Sequence, residues 1–301
     1  MTGQPIPRWL GIVLLLVIAT VFGSNHVAAR LAFEHGANVT TAVAFRSTGT
    51  ALFVLALLRW GGVSLRVEGR TLARAVLIGL ILAVQSYCLY SAVARIPVAL
   101  ALLAFQTFPM LLALISWAAG GERPSRRVRF AMPVALAGLA LALGVWDGRP
   151  QAADLAARWA EISAGLLWAM GASVSFALVL FFTTRWLGGM DGRLRSFLIM
   201  SVVAIVTTAG AAAASDFALP ADATGWLGLA LLTVFYGTAI TATFVLLPRL
   251  GTVNNAAVLN FEPISVLGLA WVFLGQAVAP LQVAGAFVVV GAIAWLGSGS
   301  R

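Results

Sequence analysis

Glu262 and Pro263 stand inside an apolar run that extends from Val253 to Leu274 and carries no other charge. A carboxylate at a membrane midplane costs about 2.5–3.5 kcal/mol on insertion scales, so an acid kept there is a candidate for binding a proton, a cation or a substrate. The competing use is a hydrogen bond to a neighbouring helix, made by the protonated acid. Proline acts on the backbone instead. It lacks an N–H, so Pro263 is expected to release the Leu259 carbonyl one turn back, and Pro109 the Phe105 carbonyl. Carbonyls freed in this way suit a substrate ammonium. Gln106 and Asn260 each lie three residues before their proline, on the same helix face. An amide both donates and accepts, which suits an amino-acid headgroup; the alternative is interhelical glue worth about 0.6 kcal/mol per bond.

Other polar and aromatic residues fall within apolar runs. Asn25 and His26 follow Gly23 and Ser24, and an imidazole there can bond a substrate or carry a proton. Gln85, Tyr87 and Tyr90 cluster in one run, Trp168 aligns with Gly171 and Ser175, and Tyr236 precedes Thr243 by seven residues. Together they are candidates for lining a pocket around an apolar or aromatic side chain, against the alternative of packing or interfacial anchoring. Asn255, Glu262 and Ser265 form a polar stripe at helical spacing, and Arg46 is expected to snorkel or pair with an acid. His35, Asp216 and Asp222 read as loop residues.

These residues must be positioned by membrane helices. The chain is 61% hydrophobic and 10% charged, far below the roughly 25% charged residues of soluble domains. A spanning helix needs about 20 mostly apolar residues, and that window gives ten spans. They are Trp9–Ala32, Val39–Leu58, Leu72–Val93, Pro97–Ala118, Phe130–Val145, Ile162–Phe182, Leu194–Ala214, Gly225–Leu247, Val253–Leu274 and Pro280–Leu296. Pro97 and Pro280 fit first-turn positions, and Pro133 sits near the start of the fifth span. The first run exceeds a signal-peptide core and is read as a retained helix.

All 19 basic residues are arginine. With the N-terminus inside, 14 fall in inside segments and 4 outside, with Arg46 left within a span, so both termini are expected in the cytoplasm. The net charge of +9 therefore marks a membrane side and not a nucleic-acid groove. Cys88 is alone and reads as a small core residue, and the two histidines lack metal-site spacing, so no metal or cofactor is expected. Ser24 and His26 are two apart on a helix and point away from each other, which argues against a serine hydrolase. A receptor or scaffold has no need of polar groups in both halves of the chain.

Shifting the sequence by 154 residues places Arg95 on Arg249, Tyr90 on Phe244, Gln106 on Asn260, Pro109 on Pro263, Trp117 on Trp271 and Gly121 on Gly275. After a one-residue gap, Gly138 falls on Gly291 and Gly144 on Gly297. Five spans per half is an odd number, so the second copy is expected to be inverted in the membrane, as in many transporters.

Three stretches carry a family resemblance: "FGSNHVAARLAFEHG" (22–36), "VALALLAFQTFPMLLALISWAAGGERPS" (98–125) and "NNAAVLNFEPISVLGLAWVFLGQAVAPLQVAGAFVVVGAI" (254–293). They resemble signature blocks of the drug/metabolite transporter superfamily, EamA type, with closest likeness to bacterial exporters of aromatic amino acids of the YddG type. Gln276 stands where the family usually has an acid, while Glu122 keeps it in the first half. The resemblance implies an all-α membrane protein of ten helices in two inverted five-helix repeats around a central cavity. The repeats are 1–147 and 162–301, joined by a loop over 148–161. It further implies export of amino acids by alternating access, and the alternatives are exchange or uptake of sugars, nucleotide sugars or drug-like cations. The expected partners are a small-molecule substrate and the lipid bilayer. Abundant Arg and Ala without Lys point to a GC-rich bacterial genome, hence an inner-membrane location, and short loops fit a monomer.

Overall fold

The computed structural model describes residues 7–93, 95, 98–121, 123–142, 152–274 and 279–297. Pro97, Glu122, Gly144, Gly275 and Gln276 lie outside the described residues, as does the side chain of Tyr90. The regular elements described are all helical. They are α1 (Arg8–Glu34), α2 (Val39–Trp60), α3 (Gly69–Val93), α4 (Val98–Phe105), α5 (Phe108–Ala118), α6 (Arg126–Ala142), α7 (Ala152–Leu187), α8 (Gly192–Ala214), α9 (Ala223–Leu250), α10 (Thr252–Asn255), a 3-10 segment (Ala256–Phe261), α11 (Glu262–Leu274) and α12 (Pro280–Gly297).

Seven helical stretches among the described residues are long and apolar enough to cross a membrane: Trp9–Glu34, Val39–Trp60, Gly69–Leu89, Ala101–Ala118, Ile162–Leu187, Gly192–Ala214 and Ala223–Leu250. This is a membrane protein. The other three expected spans correspond to α6 and to the shorter apolar stretches Ala256–Leu269 and Pro280–Trp295. Helix α6 opens on Arg126, Arg127 and Arg129, which shortens its apolar part, and α7 begins ten residues before the apolar window does. The repeat is visible in the helix starts. Val39 and Gly192 are 153 residues apart, while Gly69 and Ala223, Phe108 and Glu262, and Arg126 and Pro280 are each 154 apart.

The chain divides into two compact units, Met1–Ala83 with Val179–Thr252, and Val84–Leu178 with Val253–Arg301. Each draws helices from both sequence halves. In the first unit α1 packs along α9, and α2 along α8 and α9. Lipid gives helices no hydrophobic reason to associate, so close backbone approach must supply dispersion contacts. Ala28, Ala29 and Ala32 of α1 meet Leu229 and Leu232 of α9 in one buried cluster. A Cβ on Gly228 would sit 2.7 Å from the Ala32 nitrogen and 3.0 Å from the Ala28 oxygen, so this crossing requires glycine. In the second unit α6 and α12, mates under the repeat, pack together at Gly138 and Gly285.

The α1–α2 and α8–α9 connections of the first unit clasp each other. Asn38 caps α2 through Thr41 N–H (2.8 Å) and donates to Asp216 Oδ1 (2.8 Å), and Thr40 donates to Asp216 Oδ2 (2.6 Å). Asp222 caps α9 through Gly225 N–H (2.9 Å) and meets His35 Nδ1 at 2.7 Å. Asp216 and Asp222, read as loop residues, therefore hold two helix starts in register. The Gly225 N–H and then His35 hold the Asp222 carboxyl below its ordinary range. At the α7–α8 turn, Arg195 is 2% exposed and donates to the Leu187 oxygen (2.8 Å) and to the Phe244 oxygen. It serves the Leu187 carbonyl at the end of α7 and the Phe244 carbonyl of α9, which Pro248, four residues on, leaves without an N–H.

Replacing Gly228 by Leu is expected to cost about 1–3 kcal/mol through overpacking, read as a lowered Tm in detergent. A lowered carboxylate pKa contributes stability that is complete above the ordinary carboxylate range and lost as pH falls through the lowered value. Asp222→Asn should therefore flatten the decline of Tm below about pH 5 relative to the parent protein.

Candidate functional site

Both expected proline kinks are outright breaks, and both lie in the second unit. In the first, α4 stops at Phe105 and α5 restarts at Phe108, with Pro109 in its first turn. The Gln106 N–H still reaches the Leu102 oxygen at 2.9 Å, but Thr107 N–H turns to the Ala104 oxygen at 3.2 Å, a 3-10 step. The Thr107 hydroxyl donates to that same oxygen at 2.7 Å. In the second break, α10 ends at Asn255, six residues run as 3-10 helix, and α11 restarts at Glu262 with Pro263 behind it. Residues of the 3-10 segment pack against α5, α6, α11 and α12.

The second break corrects two expectations. Leu259 was to be released by Pro263, yet the Glu262 N–H donates to its carbonyl at three-residue spacing. The stripe of Asn255, Glu262 and Ser265 presumed a continuous α-helix, whereas 3-10 geometry advances three residues per turn and rotates Asn255 out of line. The Ser265 hydroxyl instead returns to the Glu262 oxygen at 2.7 Å. Glu262 is half-buried in the first turn of α11, where the partial positive charge of a helix start favours a carboxylate.

The two amides occupy matching places at the breaks. Gln106 is 0% exposed and Asn260 is 1% exposed. Neither Nε2 nor Oε1 of Gln106, nor Oδ1 of Asn260, has a hydrogen-bond partner among the described residues. A buried polar atom left unsatisfied costs about 1–3 kcal/mol, and native proteins keep few such atoms. Beside Gln106, the rings of Phe105, Phe108 and Phe176 pack with centroids 4.8–5.6 Å apart. Thr107 meets Ser173 of α7 at 2.8 Å. The Phe triad and the Thr107–Ser173 pair were absent from the sequence reading. Their available signal was Thr107 beside Gln106, and Ser173 and Phe176 three apart on one helix.

Tyr87 and Trp168 are brought together, edge to face at 5.7 Å, with Arg95 5.8 Å above the Trp168 ring. Tyr87 is 67% exposed, and Gln85 is buried with the Ser86 hydroxyl 3.5 Å from its Oε1. In the first unit, Tyr236 is buried under the Arg46 guanidinium at 4.0 Å, with Phe22 edge-on at 6.3 Å. Arg46 thus sets its charge over an aromatic face. Thr243 bonds back to the Ala239 oxygen of its own helix. Asn25 is buried with Oδ1 lacking a partner among the described residues, and His26 beside it is half-buried. Among the described residues no three His, Cys, Asp or Glu side chains gather as a metal site.

The model of the EamA-like transporter family matches residues 9–144 and again 163–298, the same 154-residue offset as the helix starts. The chain belongs to the EamA-like transporter family. That is a family of small-solute transporters within the drug/metabolite transporter superfamily, and this member carries both of its repeats. One solved crystal structure, 18% identical over 95% of this chain and 96% of its own, superposes with a TM-score of 0.76 and shares the fold. No curated protein matches. For this EamA-like chain, a double-mutant cycle of Thr107→Val and Ser173→Ala should return a coupling of about 0.6 kcal/mol in detergent unfolding, the usual size for a membrane hydrogen bond.

Proposed function

We propose that this EamA-like protein exports neutral amino acids, aromatic ones foremost, across the bacterial inner membrane by alternating access. In this reading ten spans form two inverted repeats with both termini in the cytoplasm, and the protein works as a monomer. The substrate headgroup binds where the two helices break. Gln106 and Asn260 face its ammonium and carboxylate, and the Phe105, Phe108 and Phe176 rings receive an apolar side chain. Tyr87, Trp168 and Gln85 of the same unit line the approach, Tyr90 is kept as a candidate from the sequence, and Asn25, His26 and Tyr236 are candidate substrate contacts within the first unit. The observation that carries the reading is the pair of buried amides, matched by the repeat, with atoms left unsatisfied among the described residues. Amides used only as glue would be expected to show their partners.

The test is efflux of labelled Phe, Trp and Thr from proteoliposomes holding the purified protein. Gln106→Leu and Asn260→Leu should each slow efflux of Phe and Trp by about 10-fold or more, the value of one hydrogen bond to a charged group. Their Tm should hold or rise, because a costly buried amide has been removed. Normal efflux in both variants would end the proposal.

Glu262 is assigned the coupling role. An imposed pH gradient should accelerate efflux by the parent protein, while Glu262→Gln should carry substrate down its own gradient at an unchanged rate and ignore the pH gradient. Equal stimulation of both proteins would remove Glu262 from coupling and leave the amide site standing.

A further inference from the structure

We propose that the cleft between the end of α5 and the start of α6 holds one anionic phospholipid, an acyl chain along α5 and the headgroup phosphate between Arg123 and Arg129. Met110, Ala113, Leu114 and Trp117 recur at three- and four-residue spacing and make one wall; Pro124, Val128 and Met132 make the other. The cleft encloses about 220 Å³. That is below the roughly 300 Å³ at which pockets begin to take whole small molecules, so it suits a segment of a chain. Leu114 is 53% exposed and Trp117 48% exposed, so the apolar wall is open along its length.

The apolar slot ends in charge. Arg123 and Arg129 line it, both exposed, with the Arg123 guanidinium 5.5 Å from the Trp117 ring. Arg126 is exposed beside them, and Nη1 of Arg127 is buried without a partner among the described residues. Between Glu68 and Asp147 the sequence has a single acid, Glu122, which lies outside the described residues, against the four arginines at 123, 126, 127 and 129. A soluble anion would use the arginines and waste the slot, and a neutral lipid would use the slot and waste the arginines. A phosphodiester carrying a chain satisfies both, with Trp117 at the depth where aromatic rings mark the membrane interface. The membrane-long stretch Ala101–Ala118 ends one residue past Trp117, which places the cations where hydrocarbon gives way to headgroups.

The experiment is native mass spectrometry of the detergent-purified protein with phosphatidylglycerol and phosphatidylcholine of identical chains at equal concentration. The parent protein should retain the anionic lipid preferentially. The double variant Arg123→Gln, Arg129→Gln should reduce that preference about fivefold per arginine removed. Arg66→Gln with Arg70→Gln, an exposed pair in the other unit, should leave it unchanged. Arg123→Lys with Arg129→Lys should keep it, which separates lost charge from lost folding. Leu114→Trp, at an exposed position of the wall, should crowd the slot and weaken retention of both lipids. Free glycerol phosphate should not bind. Equal retention of the two lipids by the parent protein would overturn the proposal. So would binding of glycerol phosphate as tight as that of the lipid, which would mark a soluble-anion site. An equal loss of preference in the control pair would do the same.

Discussion

Backbone amides in hydrocarbon have no water to fall back on, and this chain sets prolines against that constraint, Pro133 and Pro248 inside helices and Pro109 and Pro263 where helices break. Each removes one N–H from a ladder that must otherwise close on itself. Before Pro109 the ladder has already turned to 3-10 spacing, with the Thr107 N–H and hydroxyl both on the Ala104 oxygen. At Pro263 it runs six residues as 3-10 helix, so that the Glu262 N–H reaches the Leu259 oxygen from three residues away. Irregular backbone of this kind is tolerated at membrane depth where protein buries it. Accordingly Gln106, Phe108, Leu259 and Asn260 are almost completely buried. The helices around the second break serve that end, with α5, α6, α11 and α12 packed on the 3-10 segment.

Close packing without hydrophobic pressure is the second demand. Small residues meet it: Gly228 against Ala28 and Ala32 in one unit, and Gly138 against Gly285 in the other. The first unit supplements this with polar ties at its helix ends, Asn38 and Thr40 on Asp216, His35 on Asp222, and Arg195 on the carbonyls of Leu187 and Phe244. Alanine and glycine crossings set how near the helices come. The polar clasps set their register along the axis.

Helix positions and the 154-residue repeat were legible because apolarity and proline are properties of single residues. The breaks were legible as places and not as shapes. A missing N–H shows in the sequence, but whether the neighbouring amide shifts to three-residue spacing depends on backbone angles set by packing. The start of α7 at Ala152 was hidden for a different reason: Asp154, Arg158 and Glu161 end an apolar window, while the alanines between them continue a helix. At the site, Gln106 and Asn260 stood out as amides in apolar runs. Ser173 and Phe176 did not, because they reach Thr107 and Phe108 from another helix, and a single sequence carries no trace of that pairing.

The repeat also separates what the fold needs from what it does not. Both copies keep the proline and the amide three residues before it, so the break and its buried polar group belong to the shared architecture. One residue before the proline the copies part. Phe108 is buried in a cluster of three rings, whereas Glu262 is half-buried in the first turn of α11. Only the second copy has a carboxylate at that place. The same backbone device therefore holds an apolar wall in one half and a titratable group in the other. The acid is therefore not something that the break itself requires.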